Sequence, residues 1–172
     1  MKTIYKLAIG VGALSALAGA AQAQATATAS AAGSATIIQP ITAAKNTDLS
    51  FGTIVKPTAG TATVAVDASG GRTVTGTAAT NGGTVNAANF TVSGEGASVF
   101  SLTMPSTFTM TNTGGDSLVV STVNGLGATG TLSGSLGGGG SVTFGVGGSF
   151  NLTTATNSGA YTGNFTITTA YN

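Results

Sequence analysis

Residues 141–152 read Ser-Val-Thr-Phe-Gly-Val-Gly-Gly-Ser-Phe-Asn-Leu. Val142, Phe144 and Val146 occupy every second position, and Phe150 and Leu152 follow. Successive side chains of a strand point to opposite faces, so this spacing gathers the large apolar groups on one side and leaves Thr143 on the other. That is the pattern of a sheet with one buried face.

The same texture extends in both directions. Upstream, Val64 and Val66 alternate with Thr63 and Ala65, and Phe90 alternates with Val92. Phe100, Leu102 and Met104 follow, then Phe108 and Met110, then Leu118 and Val120. Ser69-Gly70-Gly71, Asn81-Gly82-Gly83, Gly114-Gly115 and Asn124-Gly125 break these runs as turns. Ile37, Ile38 and Ile41 surround Pro40, which predicts an edge or interrupted strand there. Downstream, Tyr161, Phe165, Ile167 and Tyr171 all fall at odd positions. No stretch after Gln24 carries a 3.6-residue apolar period. Many short strands, Gly-rich turns and abundant Thr and Val predict an all-β chain, an antiparallel β-sandwich. A transmembrane barrel would also alternate, but it needs aromatic girdles and a lipid-facing side, and here that side is Thr and Ser. The apolar parity predicts a core of Phe51, Val64, Val66, Phe90, Val92, Phe100, Leu102, Leu118, Val120, Val142, Phe144, Phe165 and Ile167.

The beginning of the chain reads differently. Lys2 and Lys6 precede an uncharged apolar stretch from Leu7 to Ala20, and Ala21-Gln22-Ala23 is an A-x-A site. Together they predict a signal peptide over residues 1–23, with Sec-type export through the periplasm to the cell surface or beyond. The apolar stretch is shorter than the ~20 residues that span a bilayer, so no transmembrane segment is expected in the mature chain. Residues 24–36 form an extended-competent segment in which Ala25, Ala27, Ala29 and Ala31 alternate with Thr or Ser. The sandwich domain is expected over 37–172. Without Cys, no disulfide staples it.

Composition excludes most chemistry. Nine of 172 residues are charged, 5%, against about 25% in ordinary domains. After removal of Lys2 and Lys6 the net charge is −1, which speaks against nucleic acid as a partner. No His, Cys or Trp is present. A Ser–His–Asp arrangement is impossible, and zinc, haem and iron–sulfur centres lose their usual ligands. The acids Asp48, Asp67, Glu95 and Asp116 lie far apart in sequence, with no pair on one strand face. Gly137–Gly140 is followed by no Lys and opens no helix, unlike a phosphate loop. No catalytic, cofactor-binding or metal-ligating residue is assigned, and no enzyme is expected.

The C-terminal stretch Ser158-Gly159-Ala160-Tyr161-Thr162-Gly163-Asn164-Phe165-Thr166-Ile167-Thr168-Thr169-Ala170-Tyr171-Asn172 alternates and ends one residue after a Tyr. It resembles the terminal strand of chaperone–usher pilins, with their penultimate aromatic and upstream Gly. Leu49-Ser50-Phe51-Gly52-Thr53-Ile54, Asn89-Phe90-Thr91-Val92-Ser93-Gly94, Phe144-Gly145-Val146-Gly147-Gly148 and Gly159-Ala160-Tyr161-Thr162-Gly163 resemble, in order, motifs of a secreted, fimbria-like bacterial family known as domain of unknown function 4402. The resemblance implies an immunoglobulin-like sandwich that lacks a strand, filled by a neighbour's N-terminal extension. It further implies self-association or pairing with other pilin-like subunits, a periplasmic chaperone and an outer-membrane usher. Ile37, Ile38, Gly159, Tyr161, Phe165, Ile167 and Tyr171 would then serve assembly. One departure stands out: pilin donor segments carry bulky alternating residues, whereas residues 24–35 offer only Ala. The expected function is therefore that of an exported fimbrial subunit supporting adhesion. The alternative is a monomeric sandwich that binds a glycan or surface ligand.

Overall fold

A computed structural model describes residues 26–172; the expected signal peptide lies outside them. The chain divides into two units, Met1–Ala35 and Thr36–Asn172. Of the first, Thr26–Ala35 is solvent-exposed along its length and belongs to no strand.

The second unit is all-β. Among the described residues no helix occurs, hence none that could cross a membrane. Its strands are β1 (Thr42–Thr47), β2 (Ser50–Phe51), β3 (Ile54–Val55), β4 (Thr61–Val66), β5 (Arg72–Thr75), β6 (Ala79–Thr80), β7 (Val85–Asn86), β8 (Ala88–Glu95), β9 (Val99–Thr103), β10 (Thr107–Thr111), β11 (Ser117–Asn124), β12 (Thr129–Thr131), β13 (Gly139–Thr153) and β14 (Thr168–Tyr171).

Every pairing is antiparallel, and β13 organises most of them. Its first half pairs with β8, Phe144 opposite Phe90 and Val142 opposite Val92. Its second half pairs with β4, Phe150 opposite Val64 and Leu152 opposite Ala62. Along its middle it pairs with β11 through Val146–Ser149. β1, β10 and β5 extend this sheet to seven strands. The alternation in residues 142–152 thus belongs to one continuous 15-residue strand. Gly-containing turns close the β4–β5 and β10–β11 hairpins where the sequence predicts them.

Smaller sheets cover the apolar face in unequal measure. β12-β9-β14 lies over one end, where Phe100, Leu102 and Leu132 meet Phe90, Val92, Phe144 and Val146. Phe90 and Phe144 stack at 5.9 Å. At the other end Val64, Val66, Val120, Phe150 and Leu152 form a second cluster, whose cover includes Phe51 of β2. Phe51 and Phe150 meet edge to face at 4.8 Å.

Of the thirteen expected core residues, Leu118, Val142, Phe165 and Ile167 are half-buried and the other nine are buried. The opposite face carries Thr91, Thr143, Thr63 and Asn151, which bond in pairs across strands. Two expectations change. Residues 37–41 form no strand: Pro40 has no N–H for a ladder, and pairing begins only at Thr42. The C-terminal run is half-buried at every odd residue from Phe165 to Tyr171, yet only Thr168–Tyr171 is paired as a strand, with β9.

Candidate functional site: an open apolar cleft

A cleft of about 730 Å³ opens over the second cluster. Met110, Leu118, Phe150 and Leu152 contribute its apolar lining. These side chains come from β10, β11 and β13, the strands whose alternation directs large groups to this face. Residues 50–56 line one part of the cleft and residues 156–161 another.

The first segment has partners on one side along most of its length. β2 pairs with β7 and β3 with β6, and between them Thr53 N–H donates to the Gly82 carbonyl at 3.0 Å. Arg72 donates to the Phe51 carbonyl at 2.8 Å and fixes the bend after β2. Gly52 sits at φ +72°, and a Cβ there would press on Arg72 and Gly82, so this kinked lip needs glycine. Lys56 spans toward the other segment, donating to the Thr154 and Thr156 carbonyls at 3.2 and 3.4 Å.

The second segment is barely paired. Thr162 exchanges two backbone bonds with Thr111, at 2.8 and 2.9 Å. Gly163 allows this approach, because a Cβ there would collide with the Thr109 carbonyl. Tyr161 donates its hydroxyl to the Asn157 carbonyl at 2.8 Å. Among the described residues, no backbone–backbone bond reaches 157–161 or 163–167. None crosses the cleft between 50–56 and 156–161. A segment with free backbone donors and acceptors, here all but the Asn157 carbonyl, beside apolar side chains is an arrangement that accepts an added strand.

The residues singled out from sequence do not form one site. Gly159 and Tyr161 line the cleft. Phe165 and Ile167 are core elements: Phe165 packs on Phe90 at 6.0 Å and Phe108 at 5.1 Å, and Ile167 joins the first cluster. Tyr171 belongs to a hydrogen-bonded junction with Glu95. Ile37 and Ile38 stand in solvent, 92% and 45% exposed.

Residues 41–171 match the family described as domain of unknown function, DUF4402. The chain belongs to that family. No curated protein and no solved structure matches it. The matched DUF4402 region starts at Ile41, one residue before β1, and ends at Tyr171, the last residue of β14. It contains both apolar clusters and the whole cleft lining, and leaves the exposed residues 26–40 outside.

The acids of this DUF4402 domain hold structure. Lys45 and Asp48 form an exposed ion pair. Asp67 closes the β4–β5 turn through the Ser69 hydroxyl and the Ser69 and Gly71 amides, and these bonds, the hydroxyl's foremost, hold its carboxyl below the ordinary carboxylate range. Asp116 is lowered in the same direction by Asn112 first and Asn157 second. Among the described residues no three acidic, His or Cys side chains gather in a metal-binding group. The lining segment 156–161 is legible in sequence only at Gly159 and Tyr161, since the rest is Thr, Asn, Ser and Ala without periodicity.

Proposed function

We propose that this protein is an exported structural subunit of a fimbria-like surface polymer, with an immunoglobulin-like sandwich completed by a strand from a neighbouring chain. The observation that carries the reading is the cleft: an apolar lining bordered by a segment without backbone–backbone bonds. A strand laid there would cover the half-buried Met110 and Leu118 and engage the backbone of 158–161. The exposed, unpaired segment before β1 supports the same reading, because it is a length of chain able to extend into a neighbour. Its Ala side chains would bury little area, so backbone pairing would supply most of the affinity, with Ile37 and Ile38 as apolar anchors. Low charge also fits, since few Lys or Glu guard the strand edges against pairing. No catalysis is part of this role. Assembly would involve copies of this chain or related subunits, with a chaperone and an usher in transit.

The test compares the exported chain with a variant lacking residues 24–35, by native mass measurement and electron microscopy. Ladders or filaments that disappear in the variant, while its circular dichroism remains that of the wild type, support strand exchange. A monomeric wild type, or polymers unchanged by the deletion, reject it; a monomer that retains a glycan would establish the binding-module alternative.

A further inference from the structure

Gln39 divides the exposed leader from the folded body. Thr26–Ile38 before it is exposed and unpaired, and β1 begins three residues after it. Gln39 itself pairs with no strand. Both of its backbone groups are nevertheless bonded, and by side chains from distant parts of the chain. Its N–H donates to Glu95 Oε2 at 3.1 Å, and its carbonyl accepts from the Tyr171 hydroxyl at 2.8 Å. The same hydroxyl accepts from the Glu95 N–H at 2.7 Å, and Glu95 Oε1 accepts from the Gly137 amide. Glu95 is 1% exposed and is the single buried charged residue among those described. Beside it, Gly94 has no Cβ, and one placed there would collide with the Tyr171 hydroxyl.

A buried carboxylate is costly unless hydrogen bonds replace its water. Here two amides from unrelated segments do so. An apolar residue of similar size at position 95 would leave the Gln39 and Gly137 amides without these acceptors. The tyrosine adds a second condition, because its hydroxyl reaches Gln39 from β14, which pairs with β9. We infer that Glu95 and Tyr171 clamp the backbone of Gln39, that this clamp fixes the path of Thr36–Ile38 just before it, and that it closes only when β14 is docked on β9. The C-terminal strand thereby governs how the residues before β1 are held against the domain. The clamp does not depend on what the segment before Thr36 binds.

The absence of native cysteine makes the test direct. Spin labels at Ile37→Cys and Ser121→Cys report the position of Ile37 on the folded domain as a distance distribution, and hydrogen exchange reports the Gln39 amide. Tyr171→Phe keeps the ring and removes both hydroxyl bonds. The expected result is a broadened distribution and Gln39 exchange faster by roughly tenfold, with the β9 amides and the β8 amides other than Glu95 unchanged. Glu95→Gln keeps the volume but replaces one acceptor oxygen with a donor group, and it serves if Tyr171→Phe does not fold. The inference is overturned if the distribution is equally broad before and after substitution. It is equally overturned if Gln39 exchanges as fast as Ile38 in the unsubstituted chain, or if the β9 amides and the β8 amides other than Glu95 accelerate with Gln39, which marks general destabilisation.

Discussion

The two ends of the seven-stranded sheet present similar apolar floors under different covers. Over β8 and the first half of β13, the three-stranded sheet β12-β9-β14 supplies Phe100 and Leu102, and Leu132 follows β12, all three buried. Over β4, β11 and the second half of β13, the cover consists of two-residue strands, a kinked lip and a scarcely paired extended segment. One strand runs beneath both, so the difference does not originate in the floor. It originates in the covering segments, where 50–56 is interrupted by Gly52 and 154–161 has no large apolar residue except Tyr161. The difference shows at the rim, where Met110 and Leu118 are left half-buried while Val64, Val120, Phe150 and Leu152 beneath them are buried.

Truncating a large side chain in each cover gives the sharpest contrast. Phe100 is fully buried in the covered end, so Phe100→Ala is expected to cost about 3–5 kcal/mol in urea unfolding. Phe51 lies at the edge of the cleft, where water can fill the space left behind, so Phe51→Ala is expected to cost less, below about 3 kcal/mol. Equal losses would mean that the second cluster is as tightly enclosed as the first. Hydrogen exchange makes the comparison without mutation. Amides of β9 should be protected at close to the global unfolding free energy, whereas those of 157–161 and 163–167 should exchange by local opening. Uniform protection across the two sets would remove the distinction between covered and open ends. The smallest effect concerns the β4–β5 turn beside the second cluster. The Asp67 carboxyl titrates below its ordinary 3.8, so its stabilising contribution is present above that value and is lost as pH falls through the lower, folded-state value. The melting-temperature advantage of the wild type over Asp67→Asn should therefore shrink between about pH 6 and about pH 3. A constant difference over that range would mean the turn does not use the carboxylate charge.

Period two was the readable signal. It located the buried faces of β4, β8, β9 and β13 because each carries large apolar residues at alternate positions, and Ser69-Gly70-Gly71 and Gly114-Gly115 marked the hairpins. β1 was not legible: Thr42–Thr47 is wholly exposed and has no large apolar residue, so its pairing with β8 rests on backbone bonds and on polar side-chain bonds such as those from Asn46 to Asn89 and Thr91. Leu132 is not legible either, because a lone leucine between Thr131 and Ser133 has no period, though it is among the most buried side chains. Glu95 was read only as one of four scattered acids, because burial of a carboxylate depends on amides contributed by Gln39 and Gly137. In the C-terminal run, apolar parity was visible while the absence of ladder partners was not. Side-chain alternation specifies a face, and pairing depends on what lies alongside.

The length of β13 has a consequence for the timing of folding. Both apolar clusters draw residues from it, Phe144 and Val146 for one, Phe150 and Leu152 for the other. β8, β4 and β11 all pair on it and precede it in the chain. During synthesis, everything upstream of Gly139 lacks the strand on which either cluster closes, and loop-closure entropy must be met before these non-local contacts repay it. The growing chain therefore closes neither cluster before β13 has been made, and the first cluster waits further for Phe165, Ile167 and β14. A force measurement on arrested nascent chains would register the pull of the second cluster after Thr153 emerges and that of the first only after Tyr171.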